Sequence, residues 1–265
     1  MLTARDPLPA ETEAFYRRAL DTLARAGVPF LLGGAFALEH YTGITRNTHD
    51  IDAFVREEDA RPALDALASA GYDTELLYPH WLGKARAGAD ELDVIYSSGS
   101  GVARVDDLWF ANAVDGEALG RAVKLIPAEE MIWSKSFVQE RERFDGADIM
   151  HLLRARAERI DWGRLLARFG PYWRVLLAHL VTFGFVYPDE RRKVPDRVMH
   201  ALLRRLEPEL ASDAGVGRVC QGTLLSREQY LVDVLEWGYE DARRLEPGAM
   251  RDEDIRVWTE AIADK

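Results

Sequence analysis

The sequence predicts an α+β protein in which a mixed sheet flanked by helices is followed by an all-helical C-terminal region. Two observations support this fold class. Through about residue 125, short apolar or alternating runs typical of strands are interleaved with amphipathic helical patterns. After Pro127 the pattern is almost wholly helical and is interrupted by prolines. We therefore expect one domain over residues 1–125 and a helical domain over residues 126–265.

The first half of the chain alternates between helical and strand patterns. The predicted helices at 11–26 and 57–71 have apolar side chains at helical spacing. The helix at 57–71 also has acids in its first turn, where the helix dipole stabilises negative charge. The runs between the helices are short and are bounded by Gly, Pro and Asp turns. The predicted elements are a helix at 11–26, a strand at 28–34, a helix at 35–41, a strand at 49–55, a helix at 57–71, and strands at 72–78, 80–88 and 91–98.

The second half is read as a series of helices. Apolar residues recur there at helical spacing, and prolines separate several of the segments. The predicted helices span 128–139, 146–157, 162–169, 172–183, 196–206, 227–244 and 252–262.

Composition and charge narrow the class of protein. The chain is 48% hydrophobic and 30% charged, an ordinary globular balance. Its formal net charge of -11 disfavours tight nonspecific binding to nucleic acid, which depends on cationic contacts to phosphates. A single cysteine, Cys220, excludes an intramolecular disulfide and fits a reducing compartment. Since no run has the length and apolar character of a membrane span or signal peptide, we expect a cytoplasmic protein without a membrane partner.

Two aspartates interrupt the apolar strand pattern of "DIDAF". Side chains two residues apart in a strand point to the same face, so Asp50 and Asp52 project together while Ile51 and Ala53 face the core. Carboxylates about 4 Å apart repel by roughly 4 kcal/mol at an effective dielectric of 20, so a cation between them is expected. Oxygen ligands are those that Mg²⁺ prefers. The alternatives are an exposed strand end, or acids paired with arginines such as Arg46.

A third acid and a glycine pair favour the metal interpretation. Asp93 in "ELDVIY" has apolar neighbours on both sides, so it too projects from a buried strand, with Glu91 on the same face. Gly33 and Gly34 end a strand and precede a helix, where backbone N–H groups can face an anion. Three acids beside such a turn suit two-metal phosphoryl or nucleotidyl transfer. The alternatives are an edge-strand position for Asp93 and an ordinary glycine turn.

The order of these parts resembles the nucleotidyltransferase superfamily that includes DNA polymerase beta. Its fingerprint is an apolar residue, Gly, then Gly or Ser, a short helix, an Asp-apolar-Asp/Glu-apolar strand, and a later strand with a third Asp. The matching segments are "LLGG", "DIDAF" and "LDVIY". Residues 33–55 are especially similar to the small bacterial branch of aminoglycoside, lincosamide and abortive-infection toxin nucleotidyltransferases. The resemblance covers residues 28–97 well.

The resemblance implies a role for each acid. Asp50 and Asp52 would bind Mg²⁺, and Asp93 would complete the second metal site or act as general base on the acceptor hydroxyl. All three are therefore expected to be catalytic residues and metal ligands for two Mg²⁺ ions.

The resemblance also implies contacts to a nucleoside triphosphate substrate. Gly33 and Gly34 would hold its phosphates. Members of this branch often carry an Arg and a Thr just ahead of the acidic pair, and Arg46 and Thr48 occupy those places here. We therefore expect these four residues to contact the nucleotide.

A second segment, 129–153, is similar to one that follows the catalytic domain in the toxin branch. There, a helical lysine reaches the nucleotide and a later aspartate lies near the site. This similarity implies nucleotide-binding roles for Lys135 and Asp148. The alternative places Lys135 on a solvated helix face and Asp148 in the first turn of a helix, where acids are favoured.

These residues predict a Mg²⁺-dependent nucleotidyltransferase that moves a nucleoside monophosphate from a nucleoside triphosphate to a hydroxyl of a small-molecule or protein acceptor. The acidic balance of the chain favours a cationic acceptor. One alternative is a toxin-like transferase that acts on tRNA and is neutralised by an antitoxin partner. Another is a non-catalytic nucleotide-binding domain of the same fold, although acids at all three positions argue against it.

Overall fold

The computed structural model describes residues 8–46, 48, 50–210, 217–246 and 248–261. The chain forms two compact units, and the first consists of residues up to Pro127 together with Arg251–Glu260. The second consists mainly of Ala128–Met250. Among the described residues, no helix combines the length and the apolar character needed to cross a membrane.

A seven-stranded mixed sheet forms the centre of the first unit. Its elements in chain order are α1 (Ala10–Arg25), β1 (Leu31–Leu32), α2 (Gly34–Thr42), β2 (Asp50–Phe54), α3 (Glu57–Ser69), β3 (Asp73–Tyr78), β4 (Leu82–Ala87), β5 (Asp90–Ile95), α4 (Asp107–Ala111), β6 (Val114–Ala118) and β7 (Arg121–Leu125). The strand order is β3-β4-β5-β2-β1-β7-β6. The β2–β5 and β1–β7 pairs are parallel and the other neighbouring pairs are antiparallel. The predicted α+β class is confirmed.

The two faces of the sheet differ in character. On β4, Gly83 leaves room for α3, because a Cβ there would lie 2.7 Å from Leu64 of that helix. The strand register places Val94 of β5 and Ala53 of β2 on the row of Gly83, and both are fully buried. Side chains alternate along a strand, so the adjacent positions on β2, β4 and β5 project from the face opposite α3. The acids of β2 and β5 lie on that opposite face.

The sequence pattern identifies the strands that carry the acids but not the β6–β7 hairpin. The predicted strands at 49–55 and 91–98 correspond to β2 and β5, although His49 lies outside the described residues. Two-residue hairpin turns need positive φ and usually carry Asn-Gly. Here the turn consists of Leu119 (φ 55°) and Gly120 (φ 71°). A leucine in the first turn position removes the usual hairpin signal.

The second unit is predominantly helical, as predicted. Its elements are α5 (Ala128–Lys135), α6 (Gly146–Arg156), α7 (Trp162–Phe169), α8 (Trp173–Val186), α9 (Asp196–Leu210), β8 (Val219–Cys220), α10 (Leu231–Leu235) and β9 (Glu240–Asp241). The two short strands pair in parallel, a feature that the sequence pattern does not indicate. The fully buried Glu130 of α5 accepts hydrogen bonds from Arg164 and Arg168 of α7, so a buried ion pair joins these two helices.

The prediction of one continuous helix over 227–244 is wrong. Within this segment, all of which is described, α10 is the α-helix, and Gly238 follows it in the left-handed conformation (φ 72°). An α-helix needs φ near −63°, so Gly238 interrupts it. The buried Arg243 then lies 2.6 Å from Asp241, at a short 3-10 helix (Ala242–Arg244) rather than an α-helix. Apolar spacing alone does not reveal this pair.

The last described helix, α11 (Asp252–Glu260), belongs to the first unit, whereas the sequence analysis groups it with the helical domain. Its Trp258 ring meets Tyr78 at 4.7 Å and Trp81 at 5.3 Å between ring centroids, both edge to face. Gly99 leaves room for this indole, because a Cβ there would lie 2.6 Å from it. These aromatic contacts attach α11 to the sheet.

His179 on α8 gives a test of packing in the second unit. It is 4% exposed, and burial lowers its pKa. The folded ring therefore stays neutral at pH values at which an exposed histidine, with a pKa near 6.5, is protonated. As the pH falls below about 6.5, the unfolded chain binds a proton that the folded chain does not. The free energy of unfolding should then decrease by at most about 1.4 kcal/mol per pH unit.

Denaturant unfolding of the native chain and of His179→Gln measures this effect. Between about pH 7.5 and pH 5.5, the native chain should lose stability faster than the variant, because glutamine does not titrate. Other titrating groups are common to both proteins and cancel in the comparison. Equal pH slopes for the two proteins would contradict the prediction.

Candidate functional site

β2 exposes its acids on one face and buries the other face. Ile51 and Ala53 are fully buried, whereas Asp50 and Asp52 are partly exposed. The strand lies between β5 and β1, inside the sheet. The alternation predicted from "DIDAF" is therefore confirmed.

The parallel pairing of β2 with β5 brings the third acid to the same place. Asp52 lies opposite Asp93 in the register, and Asp50 lies opposite Glu91. One carboxylate oxygen from each of Asp50, Asp52 and Asp93 lies within 4.8 Å of the other two. Asp93 is only 8% exposed. We call Asp50, Asp52 and Asp93 the acidic cluster.

The acidic cluster has the chemistry of a divalent-metal site. Two carboxylates at this separation repel by roughly 3 kcal/mol at an effective dielectric of 20, and the three acids form three such pairs. A divalent cation removes this repulsion, and carboxylate oxygens are the ligands that Mg²⁺ prefers. The donor set therefore fits Mg²⁺ or a similar hard cation.

Thr48 orients Asp50. Its hydroxyl donates to Asp50 Oδ1 at 2.6 Å and also lies 3.0 Å from the Asp50 backbone carbonyl. This contact restricts the carboxylate to one orientation toward the cluster. Arg46, two residues earlier, is exposed.

The two glycines bring the start of α2 against Asp52. The Gly33 N–H donates to the Asp52 carbonyl at 3.0 Å, and a Cβ on Gly33 would lie 2.2 Å from the ring of Phe54. Gly34 has a φ of 53°, and a Cβ there would lie 1.7 Å from Asp52 Oδ2. A side chain at either position would therefore displace β2 or its acids. The first N–H groups of a helix favour anions, so this corner can receive a phosphate beside the cluster.

A lysine on β4 extends the row of charges. Lys84 lies opposite Asp93 in the β4–β5 register, and its Nζ is 2.9 Å from Asp93 Oδ1. The same ammonium donates to Glu91 Oε2, while Arg86 Nε donates to Glu91 Oε1 at 3.1 Å. Glu91 projects from the same face as Asp93, but each of its two oxygens is paired with a cation, Lys84 or Arg86.

Burial and neighbouring charges shift the pKa values of Asp93, Glu91 and Lys84. Burial raises the pKa of Asp93, Lys84 opposes that effect, and the charges of Asp50 and Glu91 add to it. The hydrogen bond from Lys84 is the main cause of the lowered pKa of Glu91. Burial acts to lower the pKa of Lys84, but its hydrogen bond to Glu91 and the charge of Asp93 outweigh that effect and raise the pKa. Lys84 is therefore a cation next to the cluster.

The two predicted residues of the second unit, Lys135 and Asp148, pair with each other. Lys135 Nζ, at the end of α5, lies 2.9 Å from Asp148 and 2.7 Å from Asp145. Asp145 immediately precedes α6 and Asp148 lies in its first turn. These three side chains form a mostly buried ion cluster within the second unit. The nucleotide-binding roles of Lys135 and Asp148 stay predictions.

No family model and no curated protein matches the sequence. Solved structures similar to this chain include the antibiotic-resistance factor ANT(2'')-Ia, at 18% identity and a TM-score of 0.40, with 76% of this chain and 96% of that chain covered. ANT(2'')-Ia in complex with adenylyl-2''-tobramycin matches at 18% identity and a TM-score of 0.41, covering 67% of this chain and 99% of that one. The lincosamide antibiotic adenylyltransferase LnuA, bound to lincomycin, matches at 17% identity and a TM-score of 0.39, covering 56% and 98%.

These neighbours are aminoglycoside and lincosamide nucleotidyltransferases, the branch that the sequence resembles. The chemistry open to this protein is set by the geometry of the acidic cluster.

Lys84 is a residue of this site that motif reasoning misses. The run "WLGKARAG" contains Gly-Lys but lacks the glycine spacing and the following Ser or Thr of a phosphate-binding loop. Strand periodicity was the available signal. Lys84 and Arg86 share one face of a strand that directly precedes the one with Asp93, and adjacent strands in sequence often pair.

Gly34→Ala tests the steric fit between α2 and Asp52. Because the added Cβ would overlap Asp52 Oδ2, the carboxylate must move away from the acidic cluster. Calorimetric titration with Mn²⁺ in the presence of nucleotide should show an affinity about 10- to 100-fold weaker than that of the native chain.

Gly43→Ala, at the other end of α2, is the matched control. Gly43 also has a positive φ (71°), but an added Cβ would meet nothing within 4 Å. The control should lose about 1 kcal/mol of stability through backbone strain and keep the native metal affinity. If Gly34→Ala bound Mn²⁺ as tightly as Gly43→Ala, the proposed fit would be wrong.

Proposed function

We propose that this protein is a divalent-metal-dependent nucleotidyltransferase that moves a nucleoside monophosphate from a nucleoside triphosphate to a hydroxyl of a small molecule. The observation that supports this most directly is the acidic cluster, in which three carboxylate oxygens lie within 4.8 Å of one another. Like charges gathered this closely on interior strands are costly unless a cation binds them. The start of α2 next to Asp52 adds a position that favours phosphate.

Each part of the site has a role in this reaction. Asp50 and Asp52 would bind metal, and Asp93 would complete the metal site or take the proton of the acceptor hydroxyl. Gly33 and Gly34, with the start of α2, would receive the triphosphate. When bound, the metal ions would neutralise the charge that develops on the phosphoryl oxygens.

The remaining predicted residues have separate roles. Thr48 works through Asp50, whose carboxylate it orients. The proposal includes contacts to the nucleotide by Arg46, Lys135 and Asp148, as the sequence resemblance implies.

The reaction exchanges one phosphorus–oxygen bond for another. The acceptor oxygen forms a bond to the α-phosphorus, the bond from that phosphorus to the bridging oxygen of the β-phosphate breaks, and pyrophosphate leaves. The proton of the acceptor hydroxyl passes to a base. Asp93 is the candidate base because its carboxylate lies within 4.8 Å of the two acids that would hold the metal.

Net charge supports a small acceptor rather than a nucleic acid. The chain carries a formal charge of -11, which attracts cationic molecules and repels a phosphate backbone. A cationic small molecule with a free hydroxyl is therefore the acceptor class that we infer.

Calorimetry with ATP, GTP, CTP and UTP tests the nucleotide site. The native chain should bind at least one of them when Mg²⁺ is present, and a chelator should abolish that binding. The double variant Asp50→Asn/Asp52→Asn should bind at least about tenfold more weakly, because two anionic metal ligands are removed.

Asp115→Asn/Glu117→Gln is the matched control. It also removes two acids placed two residues apart on a strand, β6, outside the acidic cluster. It should bind nucleotide as the native chain does. Lack of metal-dependent nucleotide binding by the native chain would refute the proposed function, and equal binding by both double variants would refute the proposed site.

A nucleotide labelled at its α-phosphate identifies the acceptor class. With Mg²⁺ and the native chain, label should appear on cationic small molecules with hydroxyl groups and not on bulk tRNA or cell protein. Label on tRNA that declines steeply with salt would instead support the tRNA alternative. Intact nucleotide binding without transfer to any acceptor would support the non-catalytic alternative.

A further inference from the structure

Lys84 is anchored by a residue outside the acidic cluster. Its ammonium donates to one oxygen of Glu91, and Arg86 donates to the other oxygen. The β4–β5 register sets the position of Lys84 opposite Asp93, and its side chain is only 15% exposed. The ammonium is therefore fixed in place by contacts that do not depend on Asp50 or Asp52.

The same ammonium lies against one member of the acidic cluster. Lys84 Nζ is 2.9 Å from Asp93 Oδ1, and Asp93 contributes an oxygen to a group only 4.8 Å across. A divalent cation held by the cluster would therefore share Asp93 with Lys84. Like charges repel strongly over a few ångströms in a partly buried site. The positive charge of Lys84 would thus weaken the binding of a divalent cation that enters the cluster without a nucleotide.

A nucleoside triphosphate changes this balance. It brings several negative charges next to the ammonium and supplies further oxygen ligands. Magnesium in nucleotide sites is commonly held by one or two carboxylates together with substrate phosphates. The repulsion from Lys84 is then offset by attraction between Lys84 and the phosphates.

We propose that Lys84 prevents the acidic cluster from binding a divalent cation tightly on its own, so that metal and nucleotide bind together. This inference rests on the proposed function and adds to it a coupling between metal binding and nucleotide binding. It assigns Lys84 a positioning and regulatory role, since the residue acts through Asp93 and the charge of the site. Because binding is reciprocal, the factor by which nucleotide strengthens metal binding equals the factor by which metal strengthens nucleotide binding.

Lys84→Met tests the proposal, because methionine keeps an unbranched stem and removes the charge. Calorimetric titration with Mn²⁺ alone should give at least tenfold tighter binding for Lys84→Met than for the native chain. In the presence of α,β-methylene ATP the two proteins should differ less, so the enhancement by nucleotide should shrink. Lys84→Gln gives a second neutral variant if Lys84→Met does not fold.

Arg86→Met is the matched control. Arg86 lies on the same face of the same strand and contacts the same Glu91, but it lies opposite Glu91 rather than Asp93. Arg86→Met should bind Mn²⁺ within threefold of the native chain. Lys84→Arg retains the charge and should retain the weak binding of Mn²⁺ alone.

The direction of the change separates this role from a structural one. If Lys84 only maintained the fold, its removal would weaken Mn²⁺ binding, whereas the proposal requires binding to become tighter. Unchanged or weaker binding by both neutral variants, with intact Mn²⁺–nucleotide binding by the native chain, would overturn the inference and leave the proposed function standing. Failure of the native chain to bind Mn²⁺ with or without nucleotides would overturn both.

Discussion

The parallel pairing of β2 with β5 is the contact on which the candidate site depends. Because side chains alternate along a strand, a register shift of one residue would turn Asp93 toward α3 and away from Asp52. The buried residues on the α3 face oppose such a shift, since Ala53 and Val94 would lose their packing. The apolar core therefore fixes the position of the carboxylates, although it contains none of the chemistry.

The charges of the three acids are balanced only in part by other side chains. Three carboxylates and the ammonium of Lys84 leave a formal charge of two minus if every group is ionised. A divalent cation matches that residual charge. In the second unit, Glu130 is balanced by Arg164 and Arg168 from within the protein. Two arginines of the protein therefore neutralise Glu130, whereas other side chains neutralise the acidic cluster only in part.

The sequence predicts those parts of the structure whose signal is local. The alternation in "DIDAF" and "LDVIY" and the glycines before α2 identify the strand faces and the corner, because periods of two and strand-ending glycines are visible in one segment. The partners of Lys84 and Lys135 are not visible in this way, since each ion pair depends on packing between separate elements. The turn at Leu119 is not predicted because it lacks the Asn-Gly signal of a two-residue hairpin. The chain path near Gly238 is mispredicted because apolar spacing shows neither the left-handed glycine nor the buried Asp241–Arg243 pair.

The position of α11 affects how the chain folds during synthesis. Trp258 contacts Tyr78 and Trp81, yet the ribosome makes this helix after Ala128–Met250 of the second unit. Until then the emerging β3–β4 hairpin lacks its aromatic cover, and exposed rings of this kind are surfaces that chaperones bind and that promote aggregation. Completion of the first unit is thus coupled in time to translation of residues Arg251–Glu260.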